Sequence, residues 1–413
     1  MVTDTHFLRL ALRLARRGYG TTSPNPMVGA VLVKNGEIIG QGWHHRAGEP
    51  HAEVEAIRAA QKRDHSTKGA TLYVTLEPCS THGRTPPCTD AIKAAGIRRV
   101  VVGATDPNPK HRGRAFKILR RAGIKVTGLG EWQGRARHSV RADPYLARQQ
   151  RAPDRTPCQK IADECARLNE AFNHWIVHRR PFVMVKAAMT LDGKIATASG
   201  ESKWITGEKA RAFAMKLRQG ADAILVGVNT ILTDDPSLTL RARNAERGTR
   251  NDGKPLRRIV LDALARTPLN AKIVDDEHAA LTTIVVGKVA PKKRMAALAR
   301  RVKVIAAPIV KSRIENGKSK IDLRWLLKKL GSENVTSLLV EGGGEVNASF
   351  LLGGLAQRVT FFYAPKILGG HDARKAVAGD GVKRLDEIIQ LHEVEWRRLG
   401  PDLLLTARVG PAS

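Results

Sequence analysis

The residues that most restrict how this chain can fold are His51, Cys79 and Cys88. They lie in two stretches, P-H-A-E-V (Pro50–Val54) and L-E-P-C-S-T-H-G-R-T-P-P-C-T-D (Leu76–Asp90), which together read H-x-E … P-C … C. One imidazole and two thiols form a soft donor set that favours zinc over magnesium. To share one ion they must converge from distant parts of the sequence, and local signals show from where. Apolar Val54, Ile57 and Ala60 stand at helical spacing, so a helix over Glu53–Ala60 follows His51. A strand over Ala70–Leu76 carries Glu77-Pro78-Cys79 at its end, and Thr89-Asp90-Ala91-Ile92 opens a further helix just after Cys88. A thiolate at a helix N-terminus is stabilised by the peptide dipoles.

A catalytic zinc takes three protein ligands and keeps one position open for water, whose pKa it lowers. His51, Cys79 and Cys88 supply the three. Glu53 is then a proton carrier and not a ligand: a carboxylate there can move a proton from water to a leaving amine. This is the pattern of zinc-dependent deaminases. A closed structural site with His82 as fourth ligand is the competing reading, but such a site gives no reason for a Glu two residues after the His.

The chain of 413 residues is long enough for two or three domains, and its 42% hydrophobic content can bury a sizeable core. Met1–Thr5 leads into an amphipathic helix over Phe7–Arg17; neither a signal peptide nor a membrane-spanning apolar run is read. Four cysteines do not make a disulfide framework. With two assigned to metal, Cys158 and Cys165 remain, and a reducing cytoplasm is the expected setting. Lys and Arg number 70 against 39 Asp and Glu, a net charge of +31. That charge fits nucleic acid, small phosphorylated substrates or solubility. Basic clusters occur at Arg112–Arg121, Arg135–Arg155 and Arg241–Arg258, but no RGG repeat or aromatic-interleaved basic tract appears and aromatics make up only 4% of the chain, so dedicated nucleic-acid binding is not expected.

Taken in order, His6–Arg17 reads as a helix and Thr21–Pro26 as a turn-rich loop. Val28–Val33 and Glu37–Gly40 form a hairpin about Lys34-Asn35-Gly36. After the strand and helices around the cysteines come a strand at Arg99–Gly103, a helix at Gly113–Ala122 and a strand at Ile124–Leu129. This alternation predicts an α/β layer over residues 1–130. Residues 131–180 read as a linker with one connecting helix, Gln159–His178. A second α/β domain is expected over 181–413, with strands at Phe182–Ala188, Ala223–Gly227, Arg258–Leu261, Thr282–Gly287, Val302–Ala307, Ser337–Val340, Arg358–Ile367 and Leu403–Val409. The strand Ser337–Val340 runs through Glu341-Gly342-Gly343-Gly344 into a helix from Glu345. Such a turn can cradle a phosphate at the helix N-terminus, and it can equally be a tight strand-to-helix cap. It is not G-x-G-x-x-G, so a dinucleotide fold of that type is not indicated.

Further segments give nearly the whole chain a resemblance to the bifunctional deaminase–reductases of riboflavin biosynthesis. In the first half these are T-x-P-N-P-x-V-G (Thr22–Gly29), G-x-H-x-x-A-G-E-P-H-A-E (Gly42–Glu53), the cysteine stretch and D-P-N-P (Asp106–Pro109). In the second they are K-x-A-x-T-L-D-G-K (Lys186–Lys194), G-E-S-K-W-I-T (Gly200–Thr206), V-N-T-I-L-T-D-D-P-S-L-T (Val228–Thr239), V-E-G-G (Val340–Gly343) and A-P-K-I-L-G-G (Ala364–Gly370). The eight residues between Cys79 and Cys88 set the chain apart from tRNA and free-nucleoside deaminases, which typically have C-x-x-C.

The resemblance implies a cytidine-deaminase-like α/β/α domain followed by a dihydrofolate-reductase-like α/β domain. The first would hydrolyse the exocyclic amine of 2,5-diamino-6-(5-phosphoribosylamino)pyrimidin-4(3H)-one with zinc. The second would reduce the ribosyl to a ribityl chain with NADPH. By motif position, Ala188, Trp204, Thr230, Asp234, Gly343, Gly344, Glu345, Val346, Asn347, Ala348 and Ser349 would lie against NADPH. Ser202, Arg218, Leu238, Arg241 and Glu341 would hold the phosphorylated pyrimidine, with Arg218 and Arg241 suited to its phosphate and Glu341 to its N–H groups. A homo-oligomer is expected alongside. Three positions depart from the pattern: Thr81 stands where many relatives have His, Ala263 stands where a Ser can meet the cofactor, and the Glu131–Arg155 linker is long and basic. Two rival readings are a tRNA or other nucleic-acid deaminase with an added binding domain, and a chain in which one domain is only structural.

Overall fold

The computed structural model describes residues 3–83, 85–129, 156–240, 255–311 and 319–410. The chain divides into two compact units, Met1–His178 and Arg179–Ser413.

The first unit runs α1 (Asp4–Ala15), β1 (Gly29–Lys34), β2 (Glu37–Trp43), α2 (Ala52–Gln61), β3 (Thr71–Leu76), α3 (Cys88–Ala94), β4 (Arg99–Ala104), α4 (Arg114–Arg121), β5 (Lys125–Gly128), α5 (Pro157–Leu168) and α6 (Glu170–His178). Its five strands are ordered β2-β1-β3-β4-β5, with β1 antiparallel to both neighbours and β3, β4 and β5 parallel. Alternate residues of β1 point to opposite faces. Ala30 and Leu32 join a core with Ala56 and Ile57 of α2, Ile92 of α3 and Phe116 of α4. Val31 and Val33 join another with Leu8 and Leu12 of α1 and Ile161 of α5. The unit is therefore an α/β/α sandwich. Gly42 lets α2 approach the sheet closely, because a Cβ there would lie 2.5 Å from the Ala56 nitrogen.

The expected connecting helix is two helices, and both belong to the first unit. A capping box between Thr156 and Gln159 starts α5, and Ile161 and Cys165 bury its inner face. Asn169 breaks the helix. Its side chain accepts from the Met27 nitrogen at 2.8 Å and donates to the Met27 carbonyl at 2.9 Å, which ties the corner to the loop before β1. The basic stretch Glu131–Arg155 and the expected substrate residue Arg241 lie outside the described residues.

The second unit runs β6 (Phe182–Thr190), β7 (Lys194–Ala196), α7 (Glu208–Gly220), β8 (Ala223–Gly227), α8 (Val228–Asp234), β9 (Arg257–Leu261), α9 (Lys272–Asp275), β10 (Thr282–Gly287), α10 (Lys292–Ala299) and β11 (Lys303–Ala307). It continues with β12 (Ile309–Lys311), β13 (Ser319–Ile321), α11 (Leu323–Ser332), β14 (Ser337–Val340), α12 (Gly344–Leu351), β15 (Arg358–Ala364), β16 (Arg374–Lys375), β17 (Leu391–Leu399) and β18 (Asp402–Val409). Nine strands form one sheet ordered β11-β10-β9-β8-β14-β6-β15-β18-β17. It is parallel from β11 to β15 and antiparallel through β18 and β17. The strand β17 was not expected: most of its residues are exposed and four of the nine are charged, so it lacks the apolar run that marks a buried strand. Separate apolar clusters cover the two faces of the sheet, one built around Leu326, Leu338 and Phe350 and the other around Ile224, Val260 and Ile284.

Candidate active sites

In the first unit, helix starts and a strand end bring the three soft ligands together. His51 is the N-cap of α2, Cys88 is the first residue of α3, and Cys79 follows the end of β3. His51 Nδ1 lies 3.2 Å from Cys88 Sγ and 3.5 Å from Cys79 Sγ. The Cys88 backbone N–H donates to Cys79 Sγ at 3.2 Å, so the α3 N-terminus is aimed at a sulfur. All three ligand atoms fall within 4.8 Å of one another. Zinc bonds of about 2.0–2.3 Å in tetrahedral geometry require donors roughly 3.5 Å apart, so this set fits zinc with little adjustment. The contacts from Cys88 and His51 outweigh burial and hold the Cys79 thiol well below its ordinary pKa. His82 is exposed and does not belong to the cluster, which leaves three ligands and not four among the described residues.

Glu53 is on the first turn of α2 and only 3% exposed. Burial pushes its carboxyl above the ordinary range, in spite of His51 nearby.

Three further residues organise this centre and were not singled out in the sequence. Glu77, 6% exposed, accepts from the backbone N–H groups of Asp106 (3.1 Å), Gly113 (3.0 Å) and Ala115 (3.1 Å). It thus caps α4 from outside and ties the D-P-N-P loop to the strand end that carries Cys79. A carboxylate at the end of an apolar strand, directly before Pro78, was the available signal. His44 is buried, donates from Nδ1 to the Pro50 carbonyl at 3.1 Å and accepts at Nε2 from the Asn25 amide at 3.1 Å. Its ring meets His51 edge-on at 5.1 Å. Both residues lie inside motifs of the resemblance, but their pairing spans the loop before β1 and the end of β2 and could not be read from either.

In the second unit a cavity of about 1070 Å³ opens along the carboxyl ends of β6, β8, β9 and β14. Ala188, Ser202, Trp204, Thr230, Asp234, Gly343, Gly344, Glu345, Val346, Ser349 and Glu341 all line it. Ser202 donates to Asp234 at 3.3 Å, and the Arg211 guanidinium lies 4.8 Å over the Trp204 ring.

Four expectations change. Asn347 and Ala348 are fully buried and do not line the cavity, because successive residues of α12 face different directions and these two point into the fold. The Leu238 side chain is 3% exposed and packs in the core, so what it can offer a ligand is backbone. Arg218 does not line the cavity; its Nε and Nη2 donate to the two carboxylate oxygens of Glu341, each at 2.9 Å. Lys186 reaches the same carboxylate at 3.6 Å. Burial opposes ionisation of Glu341, but Lys186 and Arg218 together hold its carboxyl down to about 2. Glu341 is thus committed to two cations of the protein. Lys186, in the middle of an apolar strand, was not given a role from the sequence.

The glycine turn is now specific. A Cβ at Gly344 would strike the Lys375 carbonyl, and one at Gly342 would lie 2.5 Å from Val346 Cβ. A Cβ at Gly343 meets nothing of the protein within 4 Å. Gly343 therefore keeps space open on the cavity side, at the N-cap of α12. An anion entering that space meets the free N–H groups of a helix start, which suits a dinucleotide phosphate.

Comparison with known proteins finds relatives of both units. The profile described as cytidine and deoxycytidylate deaminase zinc-binding region matches residues 1–104, and that of the RibD C-terminal domain matches residues 181–405. Riboflavin biosynthesis protein RibD of Actinobacillus pleuropneumoniae is 39% identical over 98% of this chain and 95% of its own. The chain belongs to the RibD family. The RibD of Aquifex aeolicus is 40% identical, with 97% of each protein covered. Among solved structures, Acinetobacter baumannii RibD superposes with a TM-score of 0.79 at 31% identity, covering 99% of both chains. The Thermotoga maritima diaminohydroxyphosphoribosylaminopyrimidine deaminase/5-amino-6-(5-phosphoribosylamino)uracil reductase does so at 0.75 and 31%, covering 98% of this chain and 99% of its own. As a RibD, this chain is a bifunctional enzyme of riboflavin biosynthesis, with a zinc-dependent deaminase unit and an NADPH-dependent, dihydrofolate-reductase-like unit. The match of the second unit along its length replaces the reading as a nucleic-acid deaminase with a binding domain. Among the described residues, no helix is long and apolar enough to cross a membrane.

Proposed function

We propose that the first unit hydrolyses 2,5-diamino-6-(5-phosphoribosylamino)pyrimidin-4(3H)-one, releasing ammonia from its exocyclic amine. We propose also that the second reduces the ribosyl of the product to a ribityl chain. The observation that carries the reading is the three-ligand cluster of His51, Cys79 and Cys88 beside a buried carboxylate, in one chain with a dinucleotide-sized cavity.

His51, Cys79 and Cys88 would hold the zinc, which supplies a water of lowered pKa when bound. Glu53 would carry a proton from the attacking water to the departing amine nitrogen, so that the leaving group departs as ammonia. Its raised proton affinity suits both halves of the transfer. Glu77 keeps the Cys79 turn in place. In the second unit NADPH would supply the hydride. The open side of Gly343 and the α12 N-terminus receive its phosphates, and Trp204 offers a ring face. Ser202 and Asp234 line the cavity as a hydrogen-bonded pair. Glu341 fixes Lys186 and Arg218, so that a cation is presented beside the phosphorylated substrate.

The test is incubation of the pure protein with this diaminopyrimidinone, with and without NADPH, followed by mass spectrometry. Without NADPH the product has an amine replaced by oxygen. With NADPH it also gains two hydrogens. Release of ammonia without any NADPH-dependent gain would remove the second half of the reading.

A further inference from the structure

The reductase cavity is graded along the sheet edge. Lys186 and Ala188 belong to β6, the glycine turn follows β14, Gly227 ends β8, and Leu261 ends β9. The strand order β9-β8-β14-β6 puts three inter-strand spacings between Leu261 and Lys186, about 14 Å at ~4.8 Å each. Lys186 of β6 and its ion-pair partner Glu341 lie toward the β6 side, and the phosphate-suited turn is in the middle. The β9 side is different in character. Leu261, Ala263, Leu323 and Val346 line the cavity and pack against the apolar core that includes Ile321, so they offer apolar wall suited to a flat base.

One cation belongs to this side by construction. Lys320, next to Ile321 on β13, lines the cavity and donates from Nζ to Ser349 Oγ at 3.2 Å. Ser349 in turn donates to the Glu345 carbonyl at 2.8 Å, which holds its hydroxyl oxygen toward the lysine. Ser349 lies five residues beyond Gly344 on α12. At ~1.5 Å rise per residue, that places Ser349, the lysine's partner, about 7.5 Å along the helix from the turn, the reach of a single ribose. Glu345 and Asp380 are the acidic groups that face Lys320. Arg266 also lines the cavity, but it is exposed and donates to Asn229 Oδ1 at 2.9 Å.

We propose that Lys320 reads the 2′-phosphate of the dinucleotide and is the residue that makes this reductase prefer NADPH to NADH. The inference rests on the reading of this cavity as the NADPH site. A lysine is a compact point charge, well suited to a phosphate monoester. At position 263 an alanine side chain has no donor to offer, so on this wall the lysine is the group placed to supply one.

The full-length chain and its Lys320→Gln and Lys320→Arg variants would be titrated with 2′,5′-ADP and with 5′-AMP, which lacks the 2′-phosphate. Loss of a hydrogen bond to a charged group predicts a fall of about 10- to 100-fold in 2′,5′-ADP affinity for Lys320→Gln. Its 5′-AMP affinity should stay unchanged, which also reports an intact cavity. In turnover, kcat/KM for NADPH should fall by a similar factor while that for NADH holds, and Lys320→Arg should keep the preference. An equal loss for both probes, or an unchanged NADPH-to-NADH ratio, overturns the proposal and leaves the cavity reading standing. If the unaltered chain binds neither probe, both are overturned.

Discussion

Replacing Glu341 by Gln separates two views of the reductase site. If the carboxylate meets the substrate directly, its loss costs reduction alone. The structure gives it a different task, because Arg218 holds both of its oxygens and Lys186 is 3.6 Å away. The glutamine keeps the shape and removes the charge, leaving two half-buried cations that had shared one carboxylate. The size of the effect follows from the carboxyl's own pKa, about 2 in the fold against an ordinary 4.5. At about 1.4 kcal/mol per pH unit, the ion pairs contribute about 3 kcal/mol at neutral pH. Removing one partner of a buried pair costs a similar 3–5 kcal/mol or so. Because the folded pKa is depressed, this stability is present above pH 4.5 and disappears as pH falls toward 2.

The assay is scanning calorimetry of the full chain, with the reductase transition identified by its rise on adding NADPH. A domain of this size shifts by about 2–4 °C per kcal/mol, so Glu341→Gln should lower that transition by about 6–12 °C. The transition of the deaminase unit should not move. Below pH 4 the gap between variant and parent should narrow, since the parent then loses the same contribution. Reduction should be weakened while NADPH still binds, as followed by its fluorescence. An unmoved reductase transition would refute the account of Glu341 as the clamp of Arg218 and Lys186. Loss of NADPH binding with that transition unmoved would place the carboxylate on the cofactor instead.

Cys79→Ser should lose zinc and ammonia release while NADPH-dependent reduction is kept; full zinc occupancy by metal analysis would refute the ligand assignment. Glu53→Gln should retain zinc and lose deamination by ~10²–10⁴-fold, the usual worth of a positioned proton carrier, and near-normal ammonia release would remove it from the reaction. Gly343→Val adds a side chain that touches no protein atom at its Cβ, so it should leave the fold intact and raise the KM for NADPH strongly. Gly344→Ala collides with the Lys375 carbonyl and should lower the stability of the reductase unit itself; if the two variants behave alike in calorimetry and in KM, the division of the turn is wrong.

Much of the first unit was legible because its periodicities are strong. The hairpin about Asn35-Gly36, the apolar strands before Cys79 and at Arg99–Gly103, and the helical spacing after His51 each carry their own local signal. What could not be read is pairing between distant polar groups. Glu77 finds its three N–H partners around 30 residues or more downstream, and Asn169 meets Met27 across 142 positions. Neither partner has a spacing that announces the other. In α12 the resemblance implies that the whole run 343–349 is ligand-facing, whereas helical geometry turns Asn347 and Ala348 inward. Glu341 and Arg218 were each read as waiting for a ligand, since a sequence does not show that the α7 arginine and the carboxylate after β14 meet.

The two sites use one physical device in opposite ways. A helix N-terminus has N–H groups without intrahelical partners and a positive field. In the deaminase unit the start of α3 is filled from within: the Cys88 N–H donates to Cys79 Sγ at 3.2 Å, and the thiol's acidity rises with that contact and those of Cys88 Sγ and His51. Side chains of fixed identity are needed there, which is why the centre stands out in the sequence. In the reductase unit the start of α12 is kept open, and what it needs is the absence of a side chain at Gly343. An absence leaves a faint mark, since a glycine that keeps room for a ligand looks like one that merely turns the chain. Only the surrounding atoms tell them apart: Gly342 and Gly344 are hemmed in by Val346 and Lys375, and Gly343 faces the cavity. The same field can therefore hold a thiolate for zinc in one unit and receive a phosphate in the other.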